Sequence, residues 1–386
     1  MNYVRLLLAL VLFAVSLLAV LPAPTYLGWQ LSIGVTEWGH VLALIAALIL
    51  LLPGWWKTLP GRLSAVLALI AVALALSPLL RASPIAETLP GQLISAFGGR
   101  NPRQTQDAPA RTTPFVHREL FTGVRSPSVR VDTMTYVRRN GKPLGLDLYR
   151  PTRQAGDLLP LVVMIHGGSW RGGSRADLRE LNRYLAAHGY AVAAVSYRFA
   201  PQFPHPAASE DVRSAIQFLK SNAARFGVDA SRIALVGRSA GGQLALLAAY
   251  TARDPAIRGA AALYAPSDQV FGYENPSNPR VLNSTEILEA YLAGNPRTKP
   301  EAYRTASPIN FVSASTVPTL LIHGEKDELV WVRQSERLAA KLAAANRPHF
   351  LLRLPWATHG CDYNFNGPCG QLSTYAIENF LGEVMR

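Results

Sequence analysis

Three short stretches carry residue types that could do covalent chemistry. The first is IALVGRSAGGQ at 233–243, in which Ser239 stands between Gly237 and Gly241. The apolar run before it has the length and branching of a buried strand, and the Ala/Leu-rich pattern after it reads as a helix. Ser239 is therefore expected on a sharp strand-to-helix turn, the setting that gives a G-x-S-x-G motif its meaning. Glycine is needed on both sides because a side chain there would meet the neighbouring strand or helix. The turn would lift the serine hydroxyl above the sheet edge and point the Ala240 amide the same way. A serine is a weak nucleophile unless a base takes its proton and a third group holds that base. HGEKDELV at 323–330 and WATHGCD at 356–362 supply the candidates, Asp327 and His359, in that chain order. The chemistry that such a set performs is acyl transfer.

Both partners follow short apolar runs, ending at Ile322 and near Leu354. That places them in loops at the carboxyl ends of strands, where open α/β sheets gather their sites. Glu325, Glu328 and Asp362 compete for the acid role, and the spacing from the strand favours Asp327. Seven other histidines compete with His359. His166 and His323 sit beside glycine turns and are expected to bond backbone locally, and His205 lies between prolines in a segment that reads as structural. His40, His117, His188 and His349 have no supporting context. A further stretch, MIHGGSW at 164–170, follows a buried run directly, and its loop offers backbone N–H groups suited to an oxyanion.

These loops need a scaffold. From residue 131 onward short strands alternate with helices, which predicts an α/β fold with a mostly parallel central sheet flanked by helices. Residues 131–137 and 144–149 read as a hairpin around Asn140-Gly141, and 161–165, 191–196, 319–322 and 350–354 as further strands. Helices are expected over 176–188 and 209–226, each closed by a glycine. The stretch 266–308 reads as a small lid-like insertion near the site.

The chain from residue 131 to the end resembles an α/β-hydrolase-fold esterase of the hormone-sensitive-lipase and feruloyl/acetyl-esterase-like (carboxylesterase) group. The landmarks are HGGSW at 166–170, YRFAPQFPHPAASEDV at 197–212, GRSAGG at 237–242, HGEKDELV at 323–330 and His359. The order Ser, Asp, His is the one this fold uses. The resemblance implies Ser239 as nucleophile, Asp327 as orienting acid and His359 as general base, with an oxyanion hole from the amides of Gly167, Gly168 and Ala240. It implies no cofactor and no metal. Strict hormone-sensitive-lipase relatives carry a third glycine where Ser169 stands and an aspartate where Arg238 stands. The form around Asp327 lies closer to the carboxylesterase/feruloyl-esterase branch. Trp170, Phe199 and Phe203 are candidates for the acyl or alcohol pocket. Amide or formamide hydrolysis, peptidase action, and a non-catalytic membrane-tethered binding module are the alternative readings.

The first 80 residues lie outside that resemblance. Of the 386 residues 49% are hydrophobic and only 16% charged, and the apolar excess sits here. Three apolar stretches, 4–21, 38–56 and 63–80, approach the ~20 residues that a spanning helix needs, with no charge at their centres. Trp38, Trp55 and Trp56 suit an interfacial belt. The first stretch reads as an anchor rather than a cleaved signal peptide, because the LPAP that follows makes a poor cleavage site. Arg5 lies near the start of the first stretch, and Lys57 and Arg62 lie between the second and third. The positive-inside rule then puts the N-terminus in the cytoplasm and the hydrolase domain on the extracytoplasmic side, although Arg81 stands just past the third stretch. Residues 81–130, rich in Pro, Gly, Ser, Thr and Arg, read as a tether with partial order over 115–124.

The net charge of +13 is spread along the chain, with no Lys/Arg block and no RNA-binding signature. Nucleic acid is a poor partner on that pattern, and an anionic membrane surface accounts for the charge. The substrate is expected to be a small-molecule or lipid ester. Cys361 and Cys369 flank DYNFNGP, and outside the cytoplasm they could close a short disulfide loop just after His359.

Overall fold

A computed structural model of the chain describes residues 2–98, 108, 110–152, 156 and 158–386. Its centre is an eight-stranded sheet: β1 (Val129–Arg139), β2 (Lys142–Pro151), β3 (Leu159–Ile165), β4 (Ala191–Val195), β5 (Val228–Arg238), β6 (Ile257–Leu263), β7 (Thr319–Gly324) and β8 (His349–Leu354). The order across the sheet is β1-β2-β4-β3-β5-β6-β7-β8. β1 and β2 pair antiparallel, as do β2 and β4, and every other pair is parallel. The hairpin turns at Asn140-Gly141, where both residues take left-handed backbone with φ of 49° and 75°, the conformation a tight hairpin requires. β3, β4 and β7 are buried at every residue. Continuous burial of this kind means that both faces of a parallel sheet are covered, so these strands read as unbroken apolar runs. The fold is that of an α/β-hydrolase.

Ten helices follow an N-terminal set of four, α1 (Asn2–Ser16), α2 (Tyr26–Glu37), α3 (Gly39–Leu51) and α4 (Leu59–Phe97), among the described residues. α5 (Glu119–Thr122), α6 (Arg179–Ala187), α7 (Ala207–Ser221) and α8 (Ala223–Phe226) precede β5. α9 (Ala240–Thr251) leaves β5 directly and is buried from Ala240 to Tyr250. α10 (Gln269–Glu274), α11 (Ser284–Leu292) and α12 (Pro300–Thr305) make up the expected insertion, and α13 (Arg333–Ala344) and α14 (Pro368–Val384) complete the layers.

The N-terminal set differs from the expectation of three simple spans over 4–21, 38–56 and 63–80. Two stretches are long and apolar enough to cross a membrane, Asn2–Ala19 and α4, and α2 with α3 would make a third only as one bent unit, the two meeting at 85°. α3 has 13 residues, about 20 Å at 1.5 Å per residue. It begins at Gly39, where a Cβ would collide with the Ala75 carbonyl of α4. It ends before Pro53-Gly54, and the pre-proline Leu52 turns extended. α1 and α4 run side by side in the same direction. Asn2 Nδ2 donates to Thr58 Oγ1 at 2.8 Å at one end, and Arg81 Nη2 donates to the Ala19 carbonyl at 3.1 Å at the other.

The second difference lies in the expected tether 81–130. α4 does not stop at residue 80 but continues to Phe97, through Pro78, Pro84 and Pro90. Each proline removes a helical hydrogen bond. Packing outweighs that loss, because Ala82, Leu89 and Leu93, on one face at i, i+7 and i+11, are buried in the same core as Phe380 of α14. Residues 99–107 and 109 of the tether lie outside the described residues. Beyond them the chain is bonded to α14: Arg111 Nη2 and the Val116 amide both donate to Gln371 Oε1, at 2.6 and 2.8 Å.

A helix packed on the hydrolase and a free tether respond differently to a cavity. Leu89 is fully buried, so Leu89→Ala should cost about 2–5 kcal/mol. A clear drop in the unfolding temperature of the hydrolase domain in the detergent-solubilised full chain is the expected result.

Candidate active site

Ser239 sits where β5 gives way to α9, with φ 53° and ψ −126°. A non-glycine residue pays strain to hold that backbone, and it does so because its surroundings leave no alternative. A Cβ at Gly237 would collide with the Gly241 carbonyl, and one at Gly241 with the carbonyls of Ile165 and His166 at the end of β3. The Ser239 amide donates to the Leu263 carbonyl of β6 at 2.9 Å. The turn is thus clamped between two neighbouring strands, with its hydroxyl facing out.

The three residues singled out for acyl transfer come together there. Ser239 Oγ lies 2.9 Å from His359 Nε2, and His359 Nδ1 lies 2.7 Å from Asp327 Oδ2. With its proton on Nδ1, the imidazole donates to the carboxylate and accepts from the serine. Asp327 has almost no exposed surface. Its Oδ1 accepts from the amides of Leu329 and Val330 at 2.9 and 2.8 Å. Burial opposes its ionisation, but the imidazoles of His359 and His323 outweigh burial and hold the carboxyl down at about 2. The rivals for the acid role are occupied elsewhere. Glu325 pairs with Arg353 at 2.9 Å, Asp362 with Arg238 at 3.2 Å, and Glu328 accepts from the Ala23 amide.

The loop after β3 has the shape of an amide cradle. Gly168, Ser169 and Trp170 take φ of 114°, 55° and 55° in succession, and a Cβ on Gly167 would stand 3.2 Å from that of Ser239. Among the described residues the Gly167 and Gly168 amides donate to no protein group. Ala240 opens α9, so its amide has no partner within the helix. His166 stays out of the relay: its ring donates from Nδ1 to the Gly167 carbonyl at 2.7 Å and stacks on Tyr197 at 4.4 Å.

Beside Ser239 opens a partly enclosed cavity. Trp170, Leu282, Ile287, Leu288, Leu329 and Val330 give it an apolar wall, so α11 of the insertion and the loop after Asp327 both shape it. Trp170 is fixed by stacking on Tyr291 at 4.1 Å and by donating to Gln243 Oε1 at 3.0 Å. Phe199 and Phe203, the other two pocket candidates, do not line this cavity. Phe199 packs edge-on against His166 and Tyr197, and Phe203 lies under the Arg198 guanidinium at 5.4 Å. Phe199 is drawn aside by the His166 and Tyr197 rings and Phe203 by the Arg198 charge.

Several residues of the site have contacts with the relay that the sequence reading did not assign. His323 backs the acid: its Nε2 lies 2.8 Å from the Val330 carbonyl and 3.3 Å from Asp327 Oδ2. The Tyr264 ring packs on the His359 ring at 4.4 Å and its hydroxyl donates to Asp362. Arg238, beside the serine, pairs with that same Asp362 and covers the Tyr363 ring at 4.4 Å, tying the serine turn to the histidine loop. The loop is closed by a Cys361–Cys369 disulfide. Arg238 carried a signal, since a buried position beside the nucleophile that holds an arginine demands a carboxylate within reach.

The BD-FAE family model matches residues 146–342, just over half of the chain. The chain belongs to the BD-FAE family. The BD-FAE match includes Ser239 and Asp327 and stops short of His359. Esterase LipC of Mycobacterium tuberculosis is 35% identical over 259 residues, which cover 62% of this chain and 62% of LipC. Among solved structures, a Pyrobaculum calidifontis esterase is 28% identical, with a TM-score of 0.58, over 67% of this chain and 86% of that one. A bacterial heroin esterase superposes with a TM-score of 0.59 at 23% identity, over 67% and 85%, a likeness of fold.

The environment of Asp327 sets a pH dependence. Its folded-state pKa of about 2 lies below the ordinary 3.8. The stability it contributes is therefore complete above about pH 4 and is lost as pH falls through about 2. At ~1.36 kcal/mol per unit this amounts to about 2 kcal/mol. Asp327→Asn should lower the unfolding temperature at pH 7, and the gap to the parent chain should narrow as the pH approaches 2.

Proposed function

We propose that the chain is a membrane-anchored serine esterase that cleaves carboxylic esters through an acyl-enzyme. The observation that carries this reading is the unbroken relay from Ser239 through His359 to Asp327 beside an apolar cavity. Ser239 Oγ attacks the ester carbonyl carbon while its proton passes to His359 Nε2. Asp327 stabilises the imidazolium and keeps its tautomer, and the amides of Gly167, Gly168 and Ala240 hold the charge that develops on the carbonyl oxygen. The proton then goes to the alkoxide as the ester C–O bond breaks. Water attacks the acyl-serine with His359 again as base, which releases the acid and restores the hydroxyl. The names of LipC and the Pyrobaculum protein support ester hydrolysis as the class of reaction. The test is turnover of p-nitrophenyl esters of increasing acyl length by the full chain in detergent. Ser239→Ala should lose about 10⁶-fold in kcat, and no turnover by the folded parent chain would overturn the reading.

The membrane is reached through α1 and α4, with the bent α2–α3 unit between them, and the hydrolase lies on the extracytoplasmic side of a cell membrane. Two observations support this orientation. Arg5 donates to the Pro53 carbonyl at 3.0 Å and Arg62 to the Trp56 carbonyl at 2.9 Å, so with Lys57 the basic residues gather at the end of the helices away from the hydrolase. The cysteine pair lies on the other side, where an oxidising compartment keeps a disulfide. Cys361 and Cys369 should resist thiol labelling in natively purified protein and label after reduction and unfolding. Two thiols reactive on unfolding without reductant would reverse the orientation.

A further inference from the structure

The loops that carry Asp327 and His359 rest on residues 18–37, at the junction of the N-terminal helices with the hydrolase. Lys326 Nζ donates to the Leu18 carbonyl at 2.6 Å, and the Ala23 amide donates to Glu328 Oε1 at 2.5 Å. These contacts flank the acid. Those on the histidine loop are closer to the chemistry. Glu37, fully buried at the end of α2, takes the Cys369 amide on Oε2 at 3.0 Å and the Trp356 indole on Oε1 at 3.4 Å. Its carbonyl accepts from Asn364 Nδ2 at 2.9 Å. One residue of α2 touches the histidine itself: Trp29 Nε1 donates to the His359 carbonyl at 3.0 Å, with both groups buried.

We propose that Trp29 is a positioning residue for His359, so that the N-terminal helices are part of the catalytic apparatus and not a detachable anchor. The proposal rests on the Ser239–His359–Asp327 reading above. His359 has no strand around it, because β8 ends at Leu354 and the next residue, Gly360, turns left-handed with φ 80°. A side chain at Gly360 would strike the Tyr363 ring, so the chain reverses immediately after the histidine. The height of the imidazole above Ser239 is then set by what its own peptide is bonded to. The Trp29 indole is a rigid donor on a helix, and it holds that peptide by its carbonyl. Trp29 is itself locked between Ala23, Ile33 and Val281, so its ring cannot follow a moving loop. Losing the bond leaves a buried carbonyl unpaired, which the loop relieves only by shifting. A displacement of ~1 Å at a catalytic group costs up to about 10²-fold in rate.

The full chain in detergent, with Ser239→Ala as reference, provides the test. Trp29→Phe removes the donor and most of the ring. Trp29 replaced by 3-benzothienylalanine keeps the ring shape and loses only the N–H, so it folds even where the phenylalanine variant does not. For p-nitrophenyl butyrate, both should lower kcat by roughly 10–100-fold with KM within about twofold. The benzothienyl variant should lose only a few degrees in unfolding temperature and stay fully folded at the assay temperature, so its fall in kcat is not a loss of folded enzyme. A benzothienyl variant with the parent kcat, or one whose loss falls on KM, overturns the proposal. If the parent itself shows no Ser239-dependent turnover, the esterase reading falls and the positioning role with it.

Discussion

A carboxylate buried without an arginine or lysine against it must be satisfied on both oxygens by neutral donors, and Asp327 is such a group. Two amides of its own loop take Oδ1, and two imidazoles converge on Oδ2. That demand fixes more than the acid. It forces residues 327–330 into a turn tight enough to bring Leu329 and Val330 amides to one oxygen, and the same turn presents their side chains to the cavity. It also fixes the tautomer of His359, because a donor on Nδ1 leaves Nε2 able to accept from Ser239. His323 completes the shell from inside β7, where Ser335 holds its other nitrogen at 2.7 Å. The acid, the base and one wall of the cavity are thus consequences of keeping a single charge out of water.

The serine is held by a different physics. Its position comes from backbone collisions avoided, since only glycine at 237 and 241 lets α9 approach the ends of β3 and β5 so closely. No side chain needs to orient Ser239; the clamp of the Leu263 carbonyl and the strained φ do so. The two halves of the relay therefore differ in what disturbs them. The serine half is as rigid as the sheet, whereas the histidine half depends on contacts made by side chains and by a remote helix.

What could be read in the sequence follows the same division. The strand-to-helix turn, the loop after β3 and the two loops that carry Asp327 and His359 were legible because each is a local pattern of glycine, apolar run and polar residue. The alternating elements gave the mostly parallel sheet for the same reason. The lower half of α4 was not legible: prolines at 78, 84 and 90 look like helix breakers, and only the buried stripe Ala82, Leu89 and Leu93 reveals why the helix persists. The 85° bend between α2 and α3 was hidden because 38–56 is apolar throughout, and no local feature marks Trp38 as the corner. Phe199 and Phe203 were placed at the pocket by apolarity alone, and apolarity does not say which neighbour a ring will choose. The local backbone bond of His323 was legible, but its contact with Asp327 and the contacts of Tyr264 and Trp29 were not, because they reach 4 to 330 residues along the chain.

β8 is the edge of the sheet, and an edge strand has a neighbouring strand on one side only. In this chain the helices that precede the hydrolase are spent on that edge. α4 packs beside β8 and α14, Arg81 reaches the Pro355 carbonyl at 3.4 Å, and α2 lies under the loop that continues from β8. α2 can do so because it turns away from α3 by 85°. Leu27 and Leu31 of α2 and the adjoining Trp38 are exposed on one side, and Trp29 and Glu37 are buried on the other. The buried face of this short helix is the one that meets the histidine loop. A membrane anchor joined only by a flexible tether would need neither the bend nor the buried carboxylate of Glu37. Their presence makes the N-terminal region a structural layer of the hydrolase, placed where the sheet itself provides no support.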